Sequence, residues 1–258
     1  MGKFSVRLKN AAAEIFVRAE ARGAFRKLPA FEPDFLGEYP ALAILQENFQ
    51  AVQEECLALL GRRGDIPNIS ALSSQTSSGI HAIAWKTFMF KSGKFIDENC
   101  ALAPRTAELL RKIPGVYTAF FSILEPRQHI TPHWGYWKGF VRYHLGVVIP
   151  GNNADKQCWI RINTEAQDRA RRDQIEQGKK YYWKDGAAVL FDDTFLHEAA
   201  NESDDVRAVL FLDVARKMPW HLSLMNRFFL WLAHMDESVK RIRINAKIAD
   251  TEVAGELE

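Results

Sequence analysis

The sequence predicts a mainly β protein with a sandwich or jelly-roll core and helical extensions at both ends. Between about 80 and 215 the hydrophobic pattern shortens to strand-like runs, IHAIAWKTFMF, VYTAFFSILEP, FVRYHLGVVIP, QCWIRIN, AAVLFDD and VRAVLFLDVA, separated by Pro, Gly and Asn. On either side of this zone the apolar period is helical. The chain has 258 residues, 47% of them apolar, which suffices for one sizeable core.

Taken in order, the first zone (1–79) reads as a helical extension packed on the core. Phe4, Leu8, Ala11, Ala12, Ile15 and Ala19 recur at helical spacing, an amphipathic helix expected to dock on its own domain, with an interfacial membrane contact as the alternative. No apolar secretory core precedes it, and Ser5 sits one place short of a myristoylation pattern. PALAILQENFQAVQEECLALLGRRG carries Leu42, Leu45, Phe49, Val52, Cys56 and Leu59 on one stripe before Gly61 and Gly64, and predicts one helix of about five turns. The β zone (80–218) is interrupted twice by helical patterns. APRTAELLRKIPG has Pro104 suited to a first turn, and the charged TEAQDRARRDQIEQGKK reads as a solvated insertion. The last zone (219–258) is a helix or helix pair followed by the acidic tail DTEVAGELE, expected to fray. Its apolar stretch LSLMNRFFLWLAHM is broken by Asn226, Arg227 and His234 and falls short of the roughly 20 residues a bilayer span needs.

Charge and cysteines narrow the function classes. Lys and Arg total 34 against 32 Asp and Glu, so no strong field favours nucleic acid. Cys56, Cys100 and Cys158 form neither a disulfide framework nor a zinc pair, which suits a reducing, cytoplasmic setting. No Gly-rich phosphate loop and no Ser/His/Asp or Cys/His arrangement is apparent.

The informative residues are polar ones inside strand patterns, because a buried charge is costly without a partner or ligand. In FVRYHLGVV, alternation puts Arg142 and His144 on one face, with Val141, Tyr143, Leu145 and Val147 on the other. Downstream, His197 follows the Asp192-Asp193 turn and Arg207 opens the next strand. His133 and His197, 64 positions apart at the edges of β segments, are what a mononuclear site in a jelly roll needs; imidazole suits iron, zinc, copper or nickel. An arginine at such a mouth matches a carboxylate with its planar fork, which suggests a keto-acid cosubstrate.

At these residues the sequence resembles the aspartyl/asparaginyl β-hydroxylases, which include bacterial lipid A hydroxylase-like members. The resemblance covers 85–219 through FSILEPRQHITPHWG, RYHLGVVIP, WKDGAAVLFDDTFLHEAAN and VRAVLFLDVARKMP, and omits both ends and the insertion at 164–178. It implies a double-stranded β-helix (cupin-like) core and an iron(II)- and 2-oxoglutarate-dependent dioxygenase, using dioxygen to hydroxylate an unactivated C–H bond. It makes His133 and His197 the metal ligands, and Arg207 and Ser122 the binders of the distal carboxylate of 2-oxoglutarate. Arg142 and His144 then line the cosubstrate pocket, with Trp85 beside it. Gly135 stands where related oxygenases supply a carboxylate ligand, and the resemblance implies water there instead. Asp192 and Asp193 are expected to form the turn or to orient His197.

The resemblance implies the β-carbon of a peptide Asp or Asn as substrate, with a lipid acyl chain as the alternative. A halogenase, admitted by Gly135, and a non-catalytic metal- or ligand-binding jelly roll are the competing readings. Trp134, Tyr136, Trp137 and Lys138 are the expected substrate contacts, and the terminal amphipathic helices are where a peripheral membrane contact would form.

Overall fold

The computed structural model describes residues 3–72 and 83–248, without the side chains of 3–10 and 234. The expected boundary at 79/80, the start of the first strand run, the side chains of Phe4 and Leu8, and the tail from Asp250 lie outside these residues. In chain order the helices are α1 (Lys3–Ala21), α2 (Ala43–Glu47), α3 (Phe49–Gly61), α4 (Ile69–Leu72), α5 (Asp97–Leu102), α6 (Pro104–Arg111), α7 (Trp220–His234) and α8 (Glu237–Asn245). The strands are β1 (Trp85–Ser92), β2 (Lys94–Phe95), β3 (Val116–Leu124), β4 (Gln128–Trp134), β5 (Phe140–Val148), β6 (Cys158–Asn163), β7 (Lys179–Tyr182), β8 (Ala188–Phe191), β9 (Leu196–Asn201) and β10 (Arg207–Ala215).

Two antiparallel sheets face each other as a double-stranded β-helix. The major sheet has the order β2-β1-β3-β10-β5-β8 and the minor sheet β4-β9-β6-β7. Alternation sorts the major sheet's residues. Phe121, Ile123, Val141, Tyr143, Leu145, Leu210 and Leu212 face outward into a core shared with α3 and α6. Phe120, Val209, Phe211 and Phe191 face inward, against Ile130, Ile160 and Ile162 of the minor sheet. With both faces covered, β10 has no fully exposed residue, and so can carry the continuous apolar run VLFL.

The long first-zone helix is broken in two. Asn48 leaves helical geometry (φ −111°, ψ 26°) and its Nδ2 donates to Ile44 O at 2.8 Å, a local bond that competes with the helical ladder. The break separates α2 from α3, whose Val52, Cys56 and Leu59 then pack on the sheet. Buried Glu55 of α3 finds its partners at the start of α6, accepting from Arg105 N at 2.9 Å and Thr106 N at 2.8 Å. It supplies the N-terminal carboxylate that α6, opened by Pro104, lacks in its own first turn. The charged insertion is also no α-helix. Only Arg172–Gln177 is helical, as a 3-10 turn. Asn163 and Gln174 hold the rest through side-chain bonds to backbone, and buried Ile175 anchors it.

Both terminal amphipathic segments meet on the same side. Phe16 of α1, Phe25 and Leu222 of α7 form a small core with Trp137, Met225 and Phe229. Among the described residues no helix is long and apolar enough to cross a membrane.

Candidate active site

β4 pairs with β9, which sets His133 directly opposite His197. Ile130 lies opposite Ala199, so β4 uses three residues where β9 uses two, a bulge between Ile130 and His133. Unbulged alternation would put Ile130 and His133 on opposite faces; with the bulge both line one internal cavity, of about 40 Å³. The two imidazole centroids are 4.2 Å apart.

Each ring is fixed by the same local device. His133 Nδ1 donates to Thr131 O and His197 Nδ1 to Phe195 O, both at 2.8 Å. A carbonyl only accepts, so the proton is on Nδ1 and the lone pair on Nε2. Burial lowers both pKa values, that of His197 furthest, which keeps the rings neutral. Neutral imidazoles presenting Nε2 are the form a divalent metal takes. His133 retains some exposure and His197 does not, so the site opens on the His133 side.

Among the described residues, no cluster of three or more His, Cys, Asp or Glu is arranged to hold a metal. At the position where a carboxylate ligand would stand, the obstacle is steric. A Cβ on Gly135 would lie 2.1 Å from Asp193 Oδ2 and 2.7 Å from Asp193 O. Gly135→Asp should therefore not complete a three-ligand site. We expect it to cost about 1–3 kcal/mol of stability through overpacking, read as a lower urea midpoint, with no gain in metal affinity.

Arg207 lines the other end of the cavity. It is 1% exposed, lies 4.7 Å over the Trp183 ring, and Nη1 donates to Ser122 O at 3.3 Å. Its Nε has no partner among the described residues, and no carboxylate approaches it. Burial pushes its pKa down to about 10. Beside it, Ser122 Oγ accepts from Trp85 Nε1 at 2.9 Å, so the hydroxyl proton stays available to the cavity. His144 is packed among Phe191, Phe211 and Trp183, with both ring nitrogens buried and unpartnered among the described residues, and its pKa is driven far down by burial. These orphaned groups, gathered around one void, fit a bound acid and metal better than they fit an empty core.

Several expectations need correction. Arg142 borders the cavity but its guanidinium is already engaged: Nη2 meets Asp193 Oδ2 at 2.9 Å and Nε donates to Asp213 Oδ1 at 3.0 Å. It lines the cavity as expected, but Nε and Nη2 are turned to carboxylates, one from the turn after β8 and one from β10. Asp193 carries the burden of that burial, and its pKa is raised to about 6. Neither Asp192 nor Asp193 orients His197, since Phe195 O does so. Asp192 does form the turn, accepting from Thr194 N at 2.9 Å, and also binds Lys138 (2.8 Å) and Arg216. Lys138 is buried between Glu20 of α1 and Asp192, each at 2.8 Å, and cannot reach a substrate. Trp137 is structural: its Nε1 donates to Asn226 Oδ1 at 2.9 Å and its ring packs on Phe16 and Phe229. Tyr136 is exposed, and Trp134 has the Arg169 guanidinium 5.8 Å over its ring.

Sequence reasoning missed Trp183, Phe211 and Asp213. Trp183 carries a buried indole N–H without a partner among the described residues, and its signal in the sequence is its place at the head of WKDGAAVLF, just before the Asp185-Gly186 turn. The insertion is more than a solvated excursion, since its Arg169 and Arg172 bring positive charge to the Trp134–His133 side of the cavity.

A family model described as Aspartyl/Asparaginyl beta-hydroxylase matches residues 46–217 of the 258. The chain belongs to that family. The match reaches further towards the N-terminus than the motifs at 85–219, and takes in α3 and α4. An ornithine lipid ester-linked acyl 2-hydroxylase of Rhizobium tropici is 30% identical over 203 residues, 78% of this chain and 66% of that protein. The human aspartyl/asparaginyl beta-hydroxylase is 26% identical over 204 residues, 76% of this chain and 23% of that protein. The mouse aspartate beta-hydroxylase domain-containing protein 2 is 31% identical over 190 residues, 69% of this chain and 47% of that protein. The chain thus spans less than two thirds of the length of these relatives. Among solved structures, a Pseudomonas putida prolyl-4-hydroxylase aligns at 13% identity with a TM-score of 0.40, over 81% of this chain and 100% of that one. That likeness is too loose to bear on the site.

Proposed function

We propose that the chain is an iron(II)- and 2-oxoglutarate-dependent dioxygenase that hydroxylates an unactivated C–H bond in a lipid acyl chain. The observation that carries the reaction class is Arg207: a fully buried guanidinium with no carboxylate partner among the described residues, in the same cavity as two neutral, pre-oriented imidazoles. His133 and His197 would hold the metal through Nε2. Arg207 and the Ser122 hydroxyl would bind the far carboxylate of the cosubstrate, in a void that seats such a group and little more. Bound there, iron(II), dioxygen and 2-oxoglutarate supply the oxidation, giving succinate, carbon dioxide and a hydroxylated substrate carbon. His144, Phe191, Phe211 and Trp183 wall the site and keep bulk water out. No side-chain general base is required.

Two observations support the acyl chain. The rhizobial relative named for that substrate aligns over more of its own length than the human one does, and α7 leaves an apolar face uncovered. The β-carbon of a peptide Asp or Asn is the second reading, favoured by the positive charge of Arg169 and Arg172 near the opening. The test is an anaerobic titration of the full chain with iron(II) and 2-oxoglutarate, then aerobic incubation with detergent-dispersed lipid or with an Asp-containing peptide. Succinate with an acyl product heavier by one oxygen is expected. Failure to bind 2-oxoglutarate overturns the reaction class, an oxidised peptide overturns the substrate, and a chloride-dependent mass gain makes it a halogenase.

A further inference from the structure

α7 is apolar on two opposite faces. One packs inward through Leu222, Met225 and Phe229. The other presents Trp220, Leu224, Phe228 and Trp231, with Met235 at the C-cap, each between 53% and 78% exposed. At 100° per residue these five span only about 80° of the helix circumference. Single exposed apolar residues need no explanation, but a contiguous stripe with two tryptophans at the surface does. α1, packed against α7 through Phe16, adds exposed Ile15 and Val17, and α8 adds Ile244.

Charge identifies the occupant. α7 has no acidic residue in its fifteen positions, and Arg227 is its only Lys or Arg. α1, α7 and α8 together hold eight Lys and Arg against three Asp and Glu, while the whole chain is only +2. The rest of the protein is therefore net negative, and the cationic excess is concentrated on the elements that carry the exposed apolar residues. A second copy meeting the stripe across a two-fold axis would bring Arg227 to a face with no carboxylate on either α7. An anionic lipid surface offers both partners at once: acyl boundary for the tryptophans and headgroups for the cations. Exposed Lys217 and Arg227 also line a groove of about 540 Å³ at the base of α7, where Glu38, the acidic residue lining it, is held by Arg26 at 3.1 Å. The inner face of α7 meanwhile grips the loop after His133, through Asn226 to Trp137 and Gly139.

From this geometry we propose that the exposed stripe of α7 docks the protein on an anionic bilayer surface, holding the His133 opening close to acyl substrate. The inference rests on the acyl-chain reading, but its test reads vesicle binding alone. Protein that binds vesicles without forming succinate fails only the first reading; active protein that ignores vesicles fails only the second.

The full chain is floated with phosphatidylcholine vesicles, and with vesicles in which about 30% of the lipid is phosphatidylglycerol. Binding to the anionic vesicles is expected, weakened by salt. Trp231→Glu and Phe228→Glu, both at exposed positions, are each expected to lower it about tenfold, and Arg227→Glu to reduce the preference for the anionic vesicles. The anaerobic affinity of Trp231→Glu for 2-oxoglutarate is expected to be unchanged. No flotation, equal binding to neutral vesicles, or wild-type binding by both glutamate variants overturns the proposal. So does a wild-type dimer in sedimentation velocity that Trp231→Glu dissolves, because a second copy then covers the stripe.

Discussion

Arg207→Met will lose 2-oxoglutarate and keep the fold. Truncating one partner of a buried, hydrogen-bonded charge pair costs about 2–5 kcal/mol, or roughly 30-fold to several thousand-fold in affinity. Anaerobic titration with iron(II) present reads that loss directly. Stability without ligand should move the other way. The guanidinium is 1% exposed with no carboxylate partner among the described residues, and burial pushes its pKa down to about 10. A cation with a depressed folded-state pKa destabilises the native state at every pH below that value. Methionine is of similar length and carries no charge, so the exchange removes the cost of burying the cation. A higher urea midpoint together with lost 2-oxoglutarate binding would mark a residue kept for its ligand. A lower midpoint with unchanged binding would remove the basis of the proposed reaction.

His197→Ala is expected to abolish iron retention and succinate formation together. Outer partners of metal ligands alone account for 10–100-fold in affinity, so removing one of the two proposed ligands should exceed about 100-fold. Metal analysis after desalting and a succinate assay check it, and His133→Ala should match. The same imidazoles predict a pH dependence. His133, His144 and His197 all have pKa values lowered by burial. Below about 6.5 the unfolded chain takes up protons that these native rings refuse. Stability of the metal-free protein is therefore expected to fall as the solution is acidified, seen as a decreasing urea midpoint between about pH 7 and 5, with Asp193, whose pKa is raised to about 6, offsetting part of the fall. His144→Phe should flatten that slope by one proton's share, since His144 has no hydrogen bond among the described residues to lose. An unchanged slope would mean that His144 takes up a proton as readily in the folded protein as in the unfolded chain.

What the sequence by itself determined is what depends on near neighbours along the chain. Alternation in FVRYHLGVV places Arg142 and His144 on the cavity face and Tyr143 and Leu145 in the outer core, as period two requires. Pro104 announces α6, and Arg207 opens β10, because helix starts and strand phases are local properties. Tertiary structure alone decided which charges meet. Arg142 is engaged by Asp193 and Asp213, 51 and 71 positions away, and Lys138 is buried by Glu20 and Asp192. The bulge that turns His133 towards His197 exists only as a mismatch between β4 and β9, and which face of α7 is packed was decided by where α1 and Trp137 meet it. Side-chain direction is written in backbone periodicity, whereas partner identity depends on which distant strands converge, and a single sequence carries no direct record of that.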